Sequence, residues 1–288
     1  MQKLLKTSII FLFTLQFILL SNIYASNLSK YKSFTDKKFI KEMLNDDTLI
    51  IIDGRKIFIK YTNKPVKGTF LLLHGWNFSP LDWCNKTQLC DKALGLGYNI
   101  VMPDMGKSIY HSSIYPETRA DWKHYPTRPW LIDTLFPILQ TKYNLLLLNE
   151  RNFIVGLSTG ARGVALIIID KPKLFIGAAA LSGDYDQGKM PTDNLCKGYY
   201  GDFKTNKLRW QTVDNVMHQT KKINTPIYLG HGVFDKICDS KQTLQLYNAI
   251  KKNNLSLKIK LNMPKAKHDY EYWSSEIDEI LKFFGEIK

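Results

Sequence analysis

Gly156-Leu157-Ser158-Thr159-Gly160 lies between an apolar run, Asn152 to Val155, and a helix-like stretch, Ala161 to Ile169. A serine on a tight turn from strand to helix can act as a nucleophile. The turn lifts the hydroxyl above the sheet, and the flanking glycines leave room for the neighbouring strand and helix. The amino end of the helix behind it favours developing negative charge. A free hydroxyl is a weak nucleophile at neutral pH, so this chemistry also needs a base, an acid to orient it and donors for an oxyanion.

The rest of the chain offers these groups in a consistent order. Thr69 to Leu73 reads as a buried strand ending in His74-Gly75-Trp76-Asn77. Pro226 to Gly230 reads as another, followed by His231-Gly232-Val233-Phe234-Asp235. A third run, Leu255 to Met263, alternates apolar and polar residues and leads through Pro264 to Lys267 into His268. At these four places (His74-Gly75, the serine turn, Gly232 to Asp235, and His268) the sequence resembles the α/β-hydrolase superfamily, dienelactone-hydrolase and esterase-like. The resemblance covers most of the chain after the first 48 residues. The order serine, aspartate, histidine is the one this family shows.

The resemblance implies Ser158 as nucleophile, His268 as base and Asp235 as the acid that orients it. Asp184 is the runner-up acid, because some members place theirs after the sixth strand. The oxyanion hole is expected from the backbone N–H groups of Trp76 and Thr159. His74 is expected to shape the oxyanion loop and His231 to pack beneath the site. Asn77, Trp122, Tyr125 and Arg162 are candidates for contact with substrate; Arg162 could equally pair with an acid at the rim of the core.

Positioning these groups requires an α/β fold, specifically the α/β-hydrolase fold: a mostly parallel, twisted sheet of about eight strands flanked by helices. Leu49 to Ile52 and Arg55 to Tyr61 read as an antiparallel hairpin across Asp53-Gly54. Further strands are expected near Thr69–Leu73, Tyr98–Met102, Asn152–Gly156, Leu174–Leu181, Pro226–Gly230 and Ser256–Leu261. Helices are expected near Leu81–Gly95, Trp130–Leu147, Thr159–Lys171, Ser240–Lys252 and Tyr272–Phe284. Two inserts interrupt the alternation, 107–129 and 183–224. Both follow carboxyl ends of strands, where such a sheet places its ligand, so both read as lid-like walls of the pocket.

The first residues read as a secretory signal. Lys3 and Lys6 precede an apolar core from Ser8 to Leu20, which is shorter than the roughly 20 residues a membrane span needs. Cleavage is expected near Ala25, giving a signal peptide over 1–25 and a single domain over 26–288, exported to the periplasm or secreted. Four cysteines in an exported chain suit two disulfides. Cys84 with Cys90 would close a small loop and Cys196 could pair with Cys238, although spacing alone leaves three pairings open. No cysteine–histidine spacing indicates a metal, and no cofactor is expected.

The 288 residues carry a formal net charge of +14. That favours weak association with anionic surfaces. The lysines are dispersed and not interleaved with aromatics, so no nucleic-acid partner is expected. The expected function is an exported serine hydrolase that cleaves a carboxylic ester, thioester or amide through an acyl-enzyme. Its substrate would be a small-molecule, lipid or cell-wall ester. Acyl transfer by the same site, a small serine peptidase and a non-catalytic binding protein are the alternatives. The compact inserts, with no fused propeller-like domain in view, set this reading apart from the large oligopeptidases. Sequence leaves the oligomeric state open.

Overall fold

A computed structural model describes residues 47–287. The expected signal segment, 1–25, and the polar stretch Asn27 to Asn45 lie outside the described residues. β1 (Asp47–Ile52) and β2 (Arg55–Lys60) pair antiparallel across Asp53-Gly54. Both turn residues have positive φ, 49° and 73°, as the tight two-residue turn demands. The remaining strands are β3 (Gly68–Leu73), β4 (Tyr98–Pro103), β5 (Phe153–Leu157), β6 (Gly177–Leu181), β7 (Ile227–Gly230) and β8 (Ile259–Asn262). They form one 8-stranded sheet in the order β1-β2-β4-β3-β5-β6-β7-β8. β2 meets β4 antiparallel, and every pairing from β4 to β8 is parallel. β6 starts three residues later than its apolar run, which begins at Leu174, because Lys171 to Leu174 close a turn.

The central strands are apolar on both faces because both are covered. Leu71, Leu73, Ile154, Ala178, Ala180, Ile227 and Leu229 join one core. Their alternates Phe70, Leu72, Phe153, Val155, Ala179, Leu181 and Tyr228 join the other. The second core takes its cover from α1 (Asp82–Asn85), α2 (Leu89–Gly95), α8 (Tyr270–Ser275) and α9 (Ile277–Gly285). The first is covered by α3 (Phe136–Tyr143), α4 (Thr159–Asp170) and α7 (Ser240–Asn253).

Three expected helices differ for local reasons. Leu81–Gly95 is two helices, and Cys84 and Cys90 meet across the break with Cα atoms 5.1 Å apart. Trp130–Leu147 begins as a π-helical turn, Trp130–Leu135, and α3 stops at Asn144, whose left-handed φ of 53° ends the helix. Tyr272–Phe284 breaks at Glu276, whose buried carboxylate accepts from Tyr228 and Asn262.

The two inserts pack on each other. α5 (Asn194–Tyr200) and α6 (Lys207–Gln211) belong to the second. Trp122 and Ile109 from the first meet Cys196, Tyr199, Tyr200 and Trp210 from the second in a separate aromatic cluster. The edges are tied by hydrogen bonds, Thr118 Oγ1 to Tyr199 O (2.7 Å) and Tyr199 OH to Lys107 O (2.9 Å). Beneath them Arg128, 4% exposed, donates to Asp214 (2.8 Å) and to Asp170 at the end of α4 (2.7 Å). Removing one partner of such a buried pair costs about 3–5 kcal/mol, so the ions clamp the inserts to the sheet layer. Cys196 and Cys238, expected to be able to pair, are free buried thiols. Cys196 is enclosed in the lid cluster, whereas Cys238 holds the loop after β7 through its backbone.

His111, fully buried under the lid, stacks on Tyr199 with ring centroids 4.1 Å apart. Burial, aided by the Arg128 and Arg162 cations, pushes its imidazole down to about 3. An unfolded histidine titrates near 6.5, so between these values the unfolded chain binds a proton that the folded chain does not. Stability therefore falls as pH drops through this window, by about 1.4 kcal/mol per unit from this residue. His111→Phe should flatten that slope by one proton, as read from urea unfolding at a series of pH values.

Candidate active site

Ser158 follows β5 with φ 54° and ψ −125°, a conformation side-chain-bearing residues rarely adopt. Its N–H donates to Leu181 O (2.9 Å), which pins the turn to β6. The flanking glycines are steric requirements. A Cβ at Gly156 would run into the Gly160 carbonyl, and one at Gly160 would stand 2.7 Å from His74 O. Close approach at Gly160 brings the helix start beside the end of β3, so Ser158 and the loop carrying Trp76 share one corner.

His268 lies on the loop between β8 and α8. Its Nε2 is 3.1 Å from Ser158 Oγ and its Nδ1 is 2.6 Å from Asp235 Oδ2. With Nδ1–H donating to the carboxylate, Nε2 is left to accept the serine proton. The loops carrying Asp235 and His268 are stitched together, since Val233 N–H donates to Pro264 O and Phe234 N–H to Ala266 O, both at 2.9 Å. Gly232 allows this, because a Cβ there would collide with the Ala266 carbonyl. Asp269 caps α8 through Tyr272 N–H, and Trp273 presents its ring edge-on to His268 at 5.1 Å.

The Asp235 side chain is fully enclosed and its acceptors are well supplied. Oδ1 takes the N–H groups of Ile237 (2.8 Å) and Cys238 (2.9 Å). Oδ2 takes His268 and also His231 Nε2, at 3.1 Å. His231 Nε2 faces two acceptors, Asp235 Oδ2 and Cys238 O, so it carries the proton, and Nδ1 accepts from Thr243 Oγ1 (2.6 Å). Burial raises the Asp235 carboxyl, but the hydrogen bonds from His231, His268 and Cys238 outweigh it and hold it well below the ordinary carboxylate range. His231 was expected only beneath the site; the signal for its direct contact is its place four residues before Asp235, which sequence could not distinguish from packing.

Two N–H groups are candidates for the oxyanion hole. Those of Trp76 and of Thr159, the first residue of α4, have no hydrogen-bond acceptor among the described residues. The Trp76 loop is held from behind. His74 Nδ1–H donates to Gly75 O (2.6 Å), Nε2 accepts from Met105 N–H (2.8 Å), and Tyr110 OH donates to His74 O (3.0 Å). Burial lowers the His74 pKa, which keeps the ring neutral for this double role.

The other candidates are placed as follows. Asn77 is an exposed turn residue with φ 55°, its N–H donating to Gly106 O (2.9 Å). Trp122 packs edge-on to Trp76 at 4.7 Å inside the lid cluster. Tyr125 fills the space left by Gly106 and stacks on His124, lining a cavity of about 350 Å³ that does not include Ser158. Arg162 has no exposure and pairs with Asp184 through Nε (2.7 Å) and Nη2. That pairing settles two alternatives. Arg162 braces the lid against α4, and Asp184 is engaged by it away from the histidine. Among the described residues no cluster of histidine, cysteine, aspartate or glutamate could hold a metal ion, and no helix is long and apolar enough to cross a membrane.

The strand order, the turn carrying Ser158 and the serine–histidine–aspartate chain at the carboxyl edge of the sheet define a serine hydrolase of the α/β-hydrolase fold. Within that class the chain belongs to the prolyl oligopeptidase family, whose profile matches residues 138–287. The matched segment carries Ser158, Asp235 and His268. No curated protein sequence matches the chain. Three solved structures share the fold. S-formylglutathione hydrolase from Staphylococcus aureus is 17% identical with a TM-score of 0.64, covering 83% of this chain and 97% of that one. The fluorophosphonate-binding serine hydrolase F of the same organism is 16% identical with a TM-score of 0.65, covering 83% and 97%. A ferulic acid esterase is 16% identical with a TM-score of 0.60, covering 84% and 98%.

Because the Asp235 pKa is depressed in the folded state, its contribution to stability is present above the ordinary carboxylate value, about 4, and is lost as pH falls toward the folded value. Asp235→Asn should therefore lower the urea midpoint at pH 7, and the difference from the wild-type protein should shrink progressively as pH falls below about 4.

Proposed function

We propose that the chain is an exported serine esterase, with Ser158 as nucleophile, His268 as general base and acid, and Asp235 as the orienting carboxylate. The observation that carries this reading is the continuous hydrogen-bonded chain from Ser158 Oγ through His268 to Asp235 Oδ2, beside two unpartnered backbone N–H groups. Attack by Oγ on an acyl carbon transfers the serine proton to His268 Nε2, and the carbonyl oxygen becomes an oxyanion held by the N–H groups of Trp76 and Thr159. His268 returns the proton to the leaving alcohol or thiol as the carbon–oxygen or carbon–sulfur bond breaks. Water, deprotonated by His268, then splits the acyl-enzyme and restores Ser158. Asp235 keeps Nδ1 protonated and stabilises the imidazolium.

A thioester or ester substrate is supported by the names of the similar folds, one an S-formylglutathione hydrolase and another a ferulic acid esterase. The family profile favours a second reading, a peptidase, which the same machinery would serve. Export and cleavage near Ala25 are supported by the basic, then apolar, start of the chain. The meeting of Cys84 and Cys90 suits an oxidising compartment. The basic charge would favour weak association with a lipid or cell-wall surface carrying the ester.

A fluorophosphonate should modify Ser158 and no other serine, as mapped by mass spectrometry, and Ser158→Ala should remove the adduct. Asp235→Asn should reduce kcat on 4-nitrophenyl acetate by about 10⁴-fold with the fold intact. Absence of an adduct on folded protein would overturn the proposal, and cleavage of peptide substrates in preference to esters would move it to the peptidase. His231→Leu should lower kcat about tenfold with KM unchanged, the loss of one charge-assisted hydrogen bond to Asp235.

A further inference from the structure

A groove of about 1070 Å³ opens beside the oxyanion loop. Trp76 forms part of its wall, and the preceding Gly75 touches the nucleophile: a Cβ added there would stand 3.0 Å from Ser158 Cβ. The groove therefore adjoins the reacting corner through the Trp76 loop, although its lining includes neither Ser158 nor His268. Its size reaches the upper end of small-molecule sites, about 300–1,000 Å³, and exceeds what a short acyl ester would fill. Both inserts contribute, through Lys107, Glu117, Arg119 and Trp122 on one side and Asn194 and Asp202 on the other.

The chemistry of the lining selects among occupants. The indoles of Trp76 and Trp122 meet at 4.7 Å, and Arg119 lies over Trp122 at 4.4 Å, which leaves Trp76 as the aromatic face turned to the groove. Most of the charges are already paired: Arg119 with Asp121, Lys197 with Asp202, and Glu117 with Arg209. The Lys107 ammonium, within electrostatic reach of Asp121, and the Asn194 side-chain amide make no hydrogen bond or ion pair among the described residues. A long alkyl chain would strip water from these polar groups without replacing their hydrogen bonds. A polyanion would meet Glu117 and Asp202. A sugar ring satisfies both conditions. Its apolar C–H face packs on an indole, while its rim of hydroxyls donates to carboxylates and accepts from amide and ammonium groups.

We propose that this groove binds a neutral oligosaccharide, so that the substrate is an acyl ester carried on a sugar hydroxyl with the glycan lying along Trp76 between Lys107 and Asn194. This rests on Ser158 being the nucleophile. The bond cleaved is the acyl C–O bond to the sugar oxygen, and the products are the carboxylic acid and the free sugar hydroxyl.

The test compares acetylated cellotriose with 4-nitrophenyl acetate on the full protein and on Lys107→Ala and Asn194→Ala, with thermal unfolding to confirm that each variant folds. The expected result is an approximately tenfold rise in KM for the acetylated trisaccharide in each variant, about one hydrogen bond's worth, with 4-nitrophenyl acetate kinetics unchanged. Cleavage of 4-nitrophenyl acetate without cleavage of the acetylated trisaccharide would overturn the glycan proposal and leave the nucleophile standing. Equal effects of the variants on both substrates, or none on either, would also overturn it. Preference for 4-nitrophenyl decanoate or a peptide ester would assign the groove to a lipid or a peptide instead. Failure of both esters together with absence of a fluorophosphonate adduct would overturn the reading of Ser158 itself.

Discussion

The backbone at Ser158 is the constraint on which the site depends. A non-glycine residue at φ 54° costs about 1–3 kcal/mol and persists only where its surroundings over-determine it. Here the determinants are the hydrogen bond from Ser158 N–H to Leu181 O, the two glycines that let β5 and α4 close on each other, and the full burial of nearly all of α4. The strain directs the hydroxyl out of the sheet toward a histidine that arrives from a different strand.

Asp235 plays the corresponding part for the base. Four donors converge on its two oxygens, from Ile237, Cys238, His231 and His268. Such convergence compensates for burying a charge and fixes the plane of the carboxylate. His231 connects it in turn to Thr243 on α7, so the acid loop is anchored to a helix of the sheet layer rather than to solvent-facing loop residues alone. The Asp235 and His268 loops are joined by backbone hydrogen bonds across Gly232. Their separation is therefore a property of the backbone and does not depend on side-chain adjustment.

The lid shows how polar groups organise an insert that lacks long secondary structure. Its aromatic cluster supplies contact, but register comes from ions. Arg128 spans Asp214 and Asp170, and Arg162 pairs with Asp184 directly behind the nucleophile helix. Because each pair is costly to break, the lid has few ways to repack, and the groove between its two halves has a defined shape.

The sequence alone determined the parallel sheet, the hairpin at its edge and the chain order of Ser158, Asp235 and His268. Each of these is written in local patterns: apolar runs of strand length, Asp-Gly at a tight turn, and glycines spaced around a serine. It did not determine helix breaks such as the one at Glu276, where a buried carboxylate finds partners on two strands far away in the chain. It could not separate Arg162 as brace from Arg162 as ligand, nor find His231 on the catalytic carboxylate, because both depend on which side chain fills a three-dimensional gap. Only the tertiary structure decided how 107–129 and 183–224 fold over the sheet. Their contacts run between inserts with no periodic pattern, so the shape of the groove is a property of packing that no short window of residues encodes.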